Sequence, residues 1–491
     1  MSIGTLTILI TVLVTAGFAG LGIAYSTRSR IDAEGFLVSR NWAGGWLATA
    51  TLVASVMGAW ILFSPGETAT WAGIVGLIGY AVGQAAPLLA FVVIGSRMRR
   101  LMPSGHSLTE FAWHRYGPFA YSLTVAIVVF YMFVFLAAEL TGIALAINLI
   151  GGTSLIVSAI IVGGLTVLYT AYGGIRASLF TDAIQFTLII PLLAIVLLAL
   201  GFSLDWFGPA LDVVREESGH LLSLSHGPGI ELAFTLLIAV WAANMFHQGF
   251  WQRVYTVKDE RTLRRGFLIA GLIVIPLILL IGYMGIVAIG EGVATPFDSV
   301  ALFRLAQDAL PDWALLTIVA LALLLVMSSM DTLLNGISSA LSADLAHFKP
   351  EWGGRTILRF SRATTALLIA PAIAIASQGY SVLYLFFIAD LVCAAAVFPI
   401  FYGLYSKRVG QSAVVIAIVV GIIVGALFFP KSNFAAWNSI PWSGKTLVSF
   451  GTALGASTVL VVLADVVQRF FKIGTDYRFE TLTDAVKPIR D

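Results

Sequence analysis

Two carboxylates stand in stretches of chain too apolar to hold them without a reason. Asp182 heads a long apolar run in the string Gly173-Gly174-Ile175-Arg176-Ala177-Ser178-Leu179-Phe180-Thr181-Asp182-Ala183-Ile184-Gln185. On insertion scales an aspartate inside a membrane helix costs roughly 2.5–3.5 kcal/mol, so a chain retains one where a cation or hydrogen-bond donors offset that cost. Asp331 lies in Leu325-Val326-Met327-Ser328-Ser329-Met330-Asp331-Thr332-Leu333-Leu334-Asn335. On a helix Ser328, Asp331, Thr332 and Asn335 fall at spacings of three and four and share one face. Hydroxyls, carboxylates and free backbone carbonyls are the ligands of a small hard cation. A lone Ser or Thr in such a helix commonly bonds back to its own backbone or to a neighbouring helix. A whole stripe that includes a carboxylate points instead to an ion.

Other groups that could do chemistry are fewer. Glu139 and Asp390 lie at membrane depth and divide between structural hydrogen bonding and a gate or solute role, while Asp465 is expected to snorkel toward the end of its span. Glu67, just after Pro65-Gly66, is expected near an outer vestibule. The six histidines show no metal-ligand spacing, and His106 and His114 read as solvated or capping side chains in a loop. Cys393, the one cysteine, excludes an intrachain disulfide and reads as a buried inert thiol. No nucleophile and base pair and no metal-ligand motif falls in an apolar span, which speaks against an enzyme.

The elements that must position these groups are membrane helices. Of the 491 residues 59% are hydrophobic and 11% charged, against roughly 25% charged in a soluble domain. Thirteen apolar stretches are long enough to cross a bilayer core: about 3 to 25, 43 to 72, 74 to 96, 118 to 150, 153 to 172, 178 to 203, 230 to 252, 266 to 292, 312 to 345, 360 to 377, 379 to 405, 411 to 429 and 446 to 468. With the N-terminus outside, 24 of the 28 basic residues fall on the inner side, including Arg30, Arg176, Arg253 and the tail's Lys472, Lys487 and Arg490; only Arg215, Arg304, Lys431 and Lys445 stay outside. That bias sets a multi-pass orientation in the plasma membrane with a cytoplasmic C-terminus. A formal net charge of +2 is explained by this topology and gives no support to nucleic-acid binding. The first span lacks a preceding basic residue and is expected to remain as a helix.

The organisation is one membrane unit: residues 1–42 as an N-terminal extra helix and loop, 43–203 as a first set of five spans, 204–229 as an outer loop, 230–405 as a second set of five, 406–468 as two further helices, and 469–491 as a tail. Because five is odd, the second set runs in the opposite sense. In transporters built on inverted repeats, the first helix of each repeat is broken at mid-membrane, freeing backbone groups for ions and solute. Span 2 carries Ala54-Ser55-Val56-Met57-Gly58-Ala59-Trp60 and then Ser64-Pro65-Gly66, and span 7 carries Trp241-Ala242-Ala243-Asn244-Met245-Phe246-His247-Gln248-Gly249. Small and polar residues interrupt both at corresponding positions.

The string from Gly173 to Gln185 resembles the signature of the sodium:solute symporter family, and the Ser328–Asn335 stripe resembles that family's sodium helix. The resemblance implies an all-α, leucine-transporter-type fold with spans 2 to 11 as its core. It implies a main sodium site made by the carbonyls of Ala54, Met57 and Leu325 and the hydroxyls of Ser328 and Ser329. Asp182, Asp331 and Thr332 would form a candidate second cation site, filled by sodium or neutralised by a proton. The solute is expected near Trp60, Gln84, Trp241, Asn244, Met245, Gln248 and Phe387. Where proline-transporting relatives have an aspartate in span 2, this chain has Val56. The runs Pro103-Ser104-Gly105-His106-Ser107-Leu108-Thr109-Glu110 and Phe250-Trp251-Gln252-Arg253 are similar to urea-transporting members. The expected activity is sodium-coupled import of a small polar organic solute by alternating access, with a monomer as functional unit; a proton-coupled symporter and a passive channel for a neutral solute such as urea are the alternatives.

Overall fold

The computed structural model describes residues 1–28, 33–349, 351–471 and 476–486; Arg30, Lys472, Lys487 and Arg490 lie outside the described residues. In chain order the helices are α1 (Ile3–Arg28), α2 (Ala33–Leu37), α3 (Gly45–Val56), α4 (Ser64–Leu101), α5 (Leu108–Tyr116), α6 (Pro118–Gly151), α7 (Leu155–Ser203), α8 (Gly208–Glu217), α9 (Gly227–Met245), α10 (Gln248–Thr256), α11 (Glu260–Gly290), α12 (Ala301–Ala309), α13 (Asp312–Phe348), α14 (Gly354–Ala376), α15 (Val382–Tyr402), α16 (Gln411–Phe428), α17 (Thr446–Phe470) and α18 (Glu480–Ala485). Eleven of these are long and apolar enough to cross a membrane.

The expected spans map onto them with two fusions. Gly73 inside α4 and Gly174 inside α7 sit at φ +64° and +55°, in the left-handed region that glycine enters without a Cβ clash. Each bends one long helix into two directions, so the turns expected between spans 2 and 3 and between spans 5 and 6 are kinks rather than loops. Expected span 2 is α3, a short irregular passage and the start of α4. Expected span 7 is α9 followed by α10, parted at Phe246-His247.

α13 and α15 are the most enclosed spans, whereas α1, α7, α14, α16 and α17 turn most of their apolar surface outward. Leu13, Phe202 and Leu367 are exposed there. A helix apolar all round is stable in that position against lipid, where every backbone group is satisfied within the helix.

At the bundle end that carries α2, α5 and α10, polar side chains tie the loops. His106 is buried, not solvated as its loop position suggests: Nδ1 lies 2.9 Å from Glu110 and Nε2 2.8 Å from Glu34. Arg40 pairs with Glu34 at 2.7 Å and donates to the carbonyls of Pro103, Ser104 and Gly105. Burial pushes the His106 pKa down, but the two carboxylates outweigh it and hold it up at about 9. Burial likewise opposes ionisation of Glu34, yet His106 and Arg40 bring it down to about 2.

A histidine raised in the folded state stabilises fully below its unfolded value and loses that contribution as pH rises through the folded one. A carboxylate lowered in the folded state does the reverse, losing its contribution as pH falls through about 2. The clamp is therefore complete between about pH 4.5 and 6.5 and loosens through about pH 9. The difference in thermal midpoint between the wild type and His106→Gln should shrink as pH is raised through that range; a difference constant up to pH 10 or so would contradict the ionic clamp.

Candidate cation and solute site

α3 stops at Val56 because the chain turns extended at Met57 and Gly58. The last carbonyls of a helix have no intrahelical donors, so Ala54 and Met57 present theirs at the break. α13 passes alongside: Ser328 Oγ lies 3.3 Å from the Ala54 carbonyl, and Ser329 Oγ 3.2 Å from the Leu325 carbonyl. Ser328 and Ala54 are thus brought together from different helices with Met57 at the break itself, while the Ser329–Leu325 contact is a bond back along α13.

The far side of the break is held by Glu139 of α6. Its Oε2 accepts from the Ala59 N–H at 2.7 Å and from Ser329 Oγ at 2.5 Å, and its Oε1 accepts from the Trp60 N–H at 3.1 Å. Glu139 therefore has a structural role at the N-terminus of the second half of the broken helix, where an anion is favoured. Gly58 permits the approach, since a Cβ there would lie 2.5 Å from Glu139 Oε1 and 2.7 Å from the Trp60 ring. Gly58→Ala is expected to cost about 1–3 kcal/mol by overpacking, read as a lowered thermal midpoint of purified protein; an unchanged midpoint would show the break tolerates a side chain.

Asp182 has a cation partner that the sequence reading did not supply. Arg253, placed by charge counting at an inner helix end, is buried on α10 and donates from Nη2 to Asp182 Oδ2 at 2.9 Å and to Thr332 Oγ1 at 3.1 Å. Asp182 Oδ1 accepts from Ser328 Oγ at 2.6 Å. The guanidinium thus stands between two of the three residues expected to bind a second cation. The third, Asp331, accepts from Asn335 Nδ2 at 2.6 Å through Oδ1, and its buried Oδ2 has no hydrogen-bond partner among the described residues.

A narrow cavity of about 30 Å³ lies beside the break, lined in part by Ser55, Val56, Trp60, Gln84, Asn244, Phe387 and Asp390. Of the residues expected near the solute, Trp60, Gln84, Asn244 and Phe387 line it, and Trp241, Met245 and Gln248 do not. Met245 is buried with its carbonyl bonded to Trp251, and Gln248 is drawn away to the His106 carbonyl and the Leu108 N–H. The lining also includes Tyr80, Tyr131, Phe135, Phe250 and Phe386, whose aromatic character in already apolar spans gave no separate signal.

Glu67, on the first turn of α4, accepts from Ser381 at 2.7 Å. Above it Trp71, Phe297 and Phe434 stack at 4.6 and 5.5 Å, and Phe434 meets the cavity wall at Phe387. Asp465 is not snorkelling: it is buried and accepts from Tyr402 and Ser406, with Arg469 at 2.8 Å. Cys393 is buried.

A helix bundle with two interrupted spans around a small cavity is the architecture of a secondary active transporter rather than of an enzyme. A solved sodium-coupled sialic acid symporter, in a substrate-bound outward-open state, superposes with a TM-score of 0.75 over 95% of this chain and 98% of its own at 16% identity, which shows a leucine-transporter-type fold. The model of the sodium:solute symporter family matches residues 36–421, and the chain belongs to that family. A spermidine transporter of Candida albicans is 26% identical over 435 residues, 87% of this chain and 81% of its own. A probable urea active transporter of Schizosaccharomyces pombe is 24% identical over 429 residues, covering 78% of this chain; the chain spans 63% of that relative.

Proposed function

We propose that the chain is a sodium-coupled symporter that imports a small polar organic solute across the plasma membrane, with its N-terminus outside and the α5 end of the bundle in the cytoplasm. The reading is carried by Ser328 of α13 reaching the free Ala54 carbonyl at the break after α3, with Ser329 and the Leu325 carbonyl one turn back on the same helix. Ligands at right angles around a hard cation with bonds of about 2.3–2.6 Å, as for calcium, stand about 3.3–3.7 Å apart, and the 3.3 Å Ser328–Ala54 pair meets the lower end of that spacing. Met57 would complete the set, and Ser328, donating its proton to Asp182 Oδ1, would keep its oxygen lone pairs free for the ion.

In this reading sodium joins α3 to α13 and so favours the state in which the cavity can hold solute. Arg253 supplies permanently the charge that a second cation would bring to Asp182, so one sodium is coupled per solute. One sodium entering down 100 mV gains about 2.3 kcal/mol and a tenfold gradient adds about 1.4 kcal/mol, enough for several-hundredfold accumulation of a neutral solute.

Proton coupling on the same fold is the second reading, favoured by Asp331, whose buried Oδ2 has no hydrogen-bond partner among the described residues. Proteoliposomes with a sodium gradient or a pH gradient alone separate the two. Accumulation under sodium alone supports the first reading, accumulation under the pH gradient alone selects the second, and equilibration without accumulation in both indicates a passive channel.

A further inference from the structure

Asp390 of α15 takes no part in the cation site. It is 4% exposed, faces the cavity, and forms no hydrogen bond or ion pair with another described residue. Among the cavity-lining residues it is the single formal charge, with no lysine or arginine beside it. The walls around it are aromatic: Trp60 stacks on Tyr80 at 5.8 Å, Phe135 meets Phe386 edge-on at 4.9 Å, and Tyr131 and Phe387 complete them. Ring faces carry negative charge density and attract cations, most strongly where water is excluded. A buried carboxylate with no partner is neutralised either by a proton or by a counter-charge; the protein supplies no counter-charge at the cavity, and an ammonium solute would.

The groups that could hold an anion are already engaged. In transporters with broken helices, the N-terminus of a half-helix receives the solute's carboxylate. In this chain the N–H groups of Ala59 and Trp60 at that position donate to Glu139. A solute bearing a carboxylate would therefore find those N–H groups taken and would face Asp390 with no lysine or arginine on the cavity wall. Beyond Tyr80, Glu67 adds a third acid whose Oε2 is buried and unpartnered among the described residues.

We propose that the transported solute is an organic cation, an amine without a carboxylate, whose ammonium group pairs with Asp390 inside the aromatic walls. This rests on the reading of the cavity as the solute site of a symporter.

The test uses full-length protein in proteoliposomes with an inward sodium gradient. Labelled butane-1,4-diamine and choline are compared with urea, proline and glucose. Sodium-dependent accumulation of an amine is expected, together with at least about tenfold weaker amine affinity in Asp390→Asn, while the rise in thermal stability on adding sodium persists. Asp390→Glu, which keeps the charge, should lose less. If Asp390→Asn does not fold, competition on the native protein decides: butane-1,4-diamine should inhibit uptake and the uncharged butane-1,4-diol should not. Equal inhibition by both overturns the proposal. Accumulation of urea, proline or glucose without an amine also overturns it and leaves symport standing. Sodium-independent amine uptake supports the amine assignment and overturns sodium coupling. Accumulation of none of the five overturns both.

Discussion

Replacing Ser328 and Ser329 together by alanine is expected to abolish sodium-driven uptake while the protein still inserts and folds. Each hydroxyl would offer the ion an oxygen beside a backbone carbonyl, Ser328 next to Ala54 and Ser329 next to Leu325 one turn back on α13. At about 1.5–3 kcal/mol for an interaction with a charged group, losing both weakens sodium binding at least a hundredfold or so. The fold has other support at this point. Glu139 keeps the Ala59 and Trp60 N–H groups, and Asp182 keeps Arg253. The measurement is initial uptake against sodium concentration, with the thermal midpoint as a control. Sodium dependence unchanged from wild type would sink the site assignment.

The second large effect is expected at Arg253. Its guanidinium and Asp182 are both buried, so removing one partner leaves an uncompensated charge, at a cost of about 3–5 kcal/mol. Arg253→Gln should lower the thermal midpoint sharply, and adding Asp182→Asn should recover much of the loss, because the second change removes the stranded charge. High sodium should also stabilise the single variant by filling the place beside Asp182 and Thr332. A double variant no more stable than Arg253→Gln would mean that the arginine acts through packing rather than charge.

The helical class and the positions of the breaks were legible in the sequence because they rest on local signals. Apolar length sets the spans, and small or polar residues at Met57-Gly58 and Phe246-His247 mark where two of them part. Ser328 was also readable, since helical spacing puts it on one polar face with Asp331, Thr332 and Asn335, whereas Ser329 came only through the family resemblance. What depended on long-range packing was not. Arg253 is 71 residues from Asp182, and an arginine near a helix end has the same local pattern whether it faces the cytoplasm or a buried acid. His106 was misread as solvated for the same reason, because Glu34 comes from a distant segment. Gln248 was assigned to the solute from its place in a broken helix, yet its amide reaches the His106 carbonyl instead. Glu139 and Asp390 look alike in sequence, each an acid in an apolar span. The fold separates them by giving Glu139 the exposed N–H groups of the broken helix and leaving Asp390 facing a cavity.

Equilibrium binding of radiolabelled sodium to the purified full-length protein tests the central claim most directly, because it counts ions without needing the solute. The account predicts one saturable ion per chain in the wild type, loss of that ion in Ser328→Ala/Ser329→Ala, and a second ion in Arg253→Gln. Two ions in the wild type, or one ion bound undiminished by the double alanine variant, would contradict it.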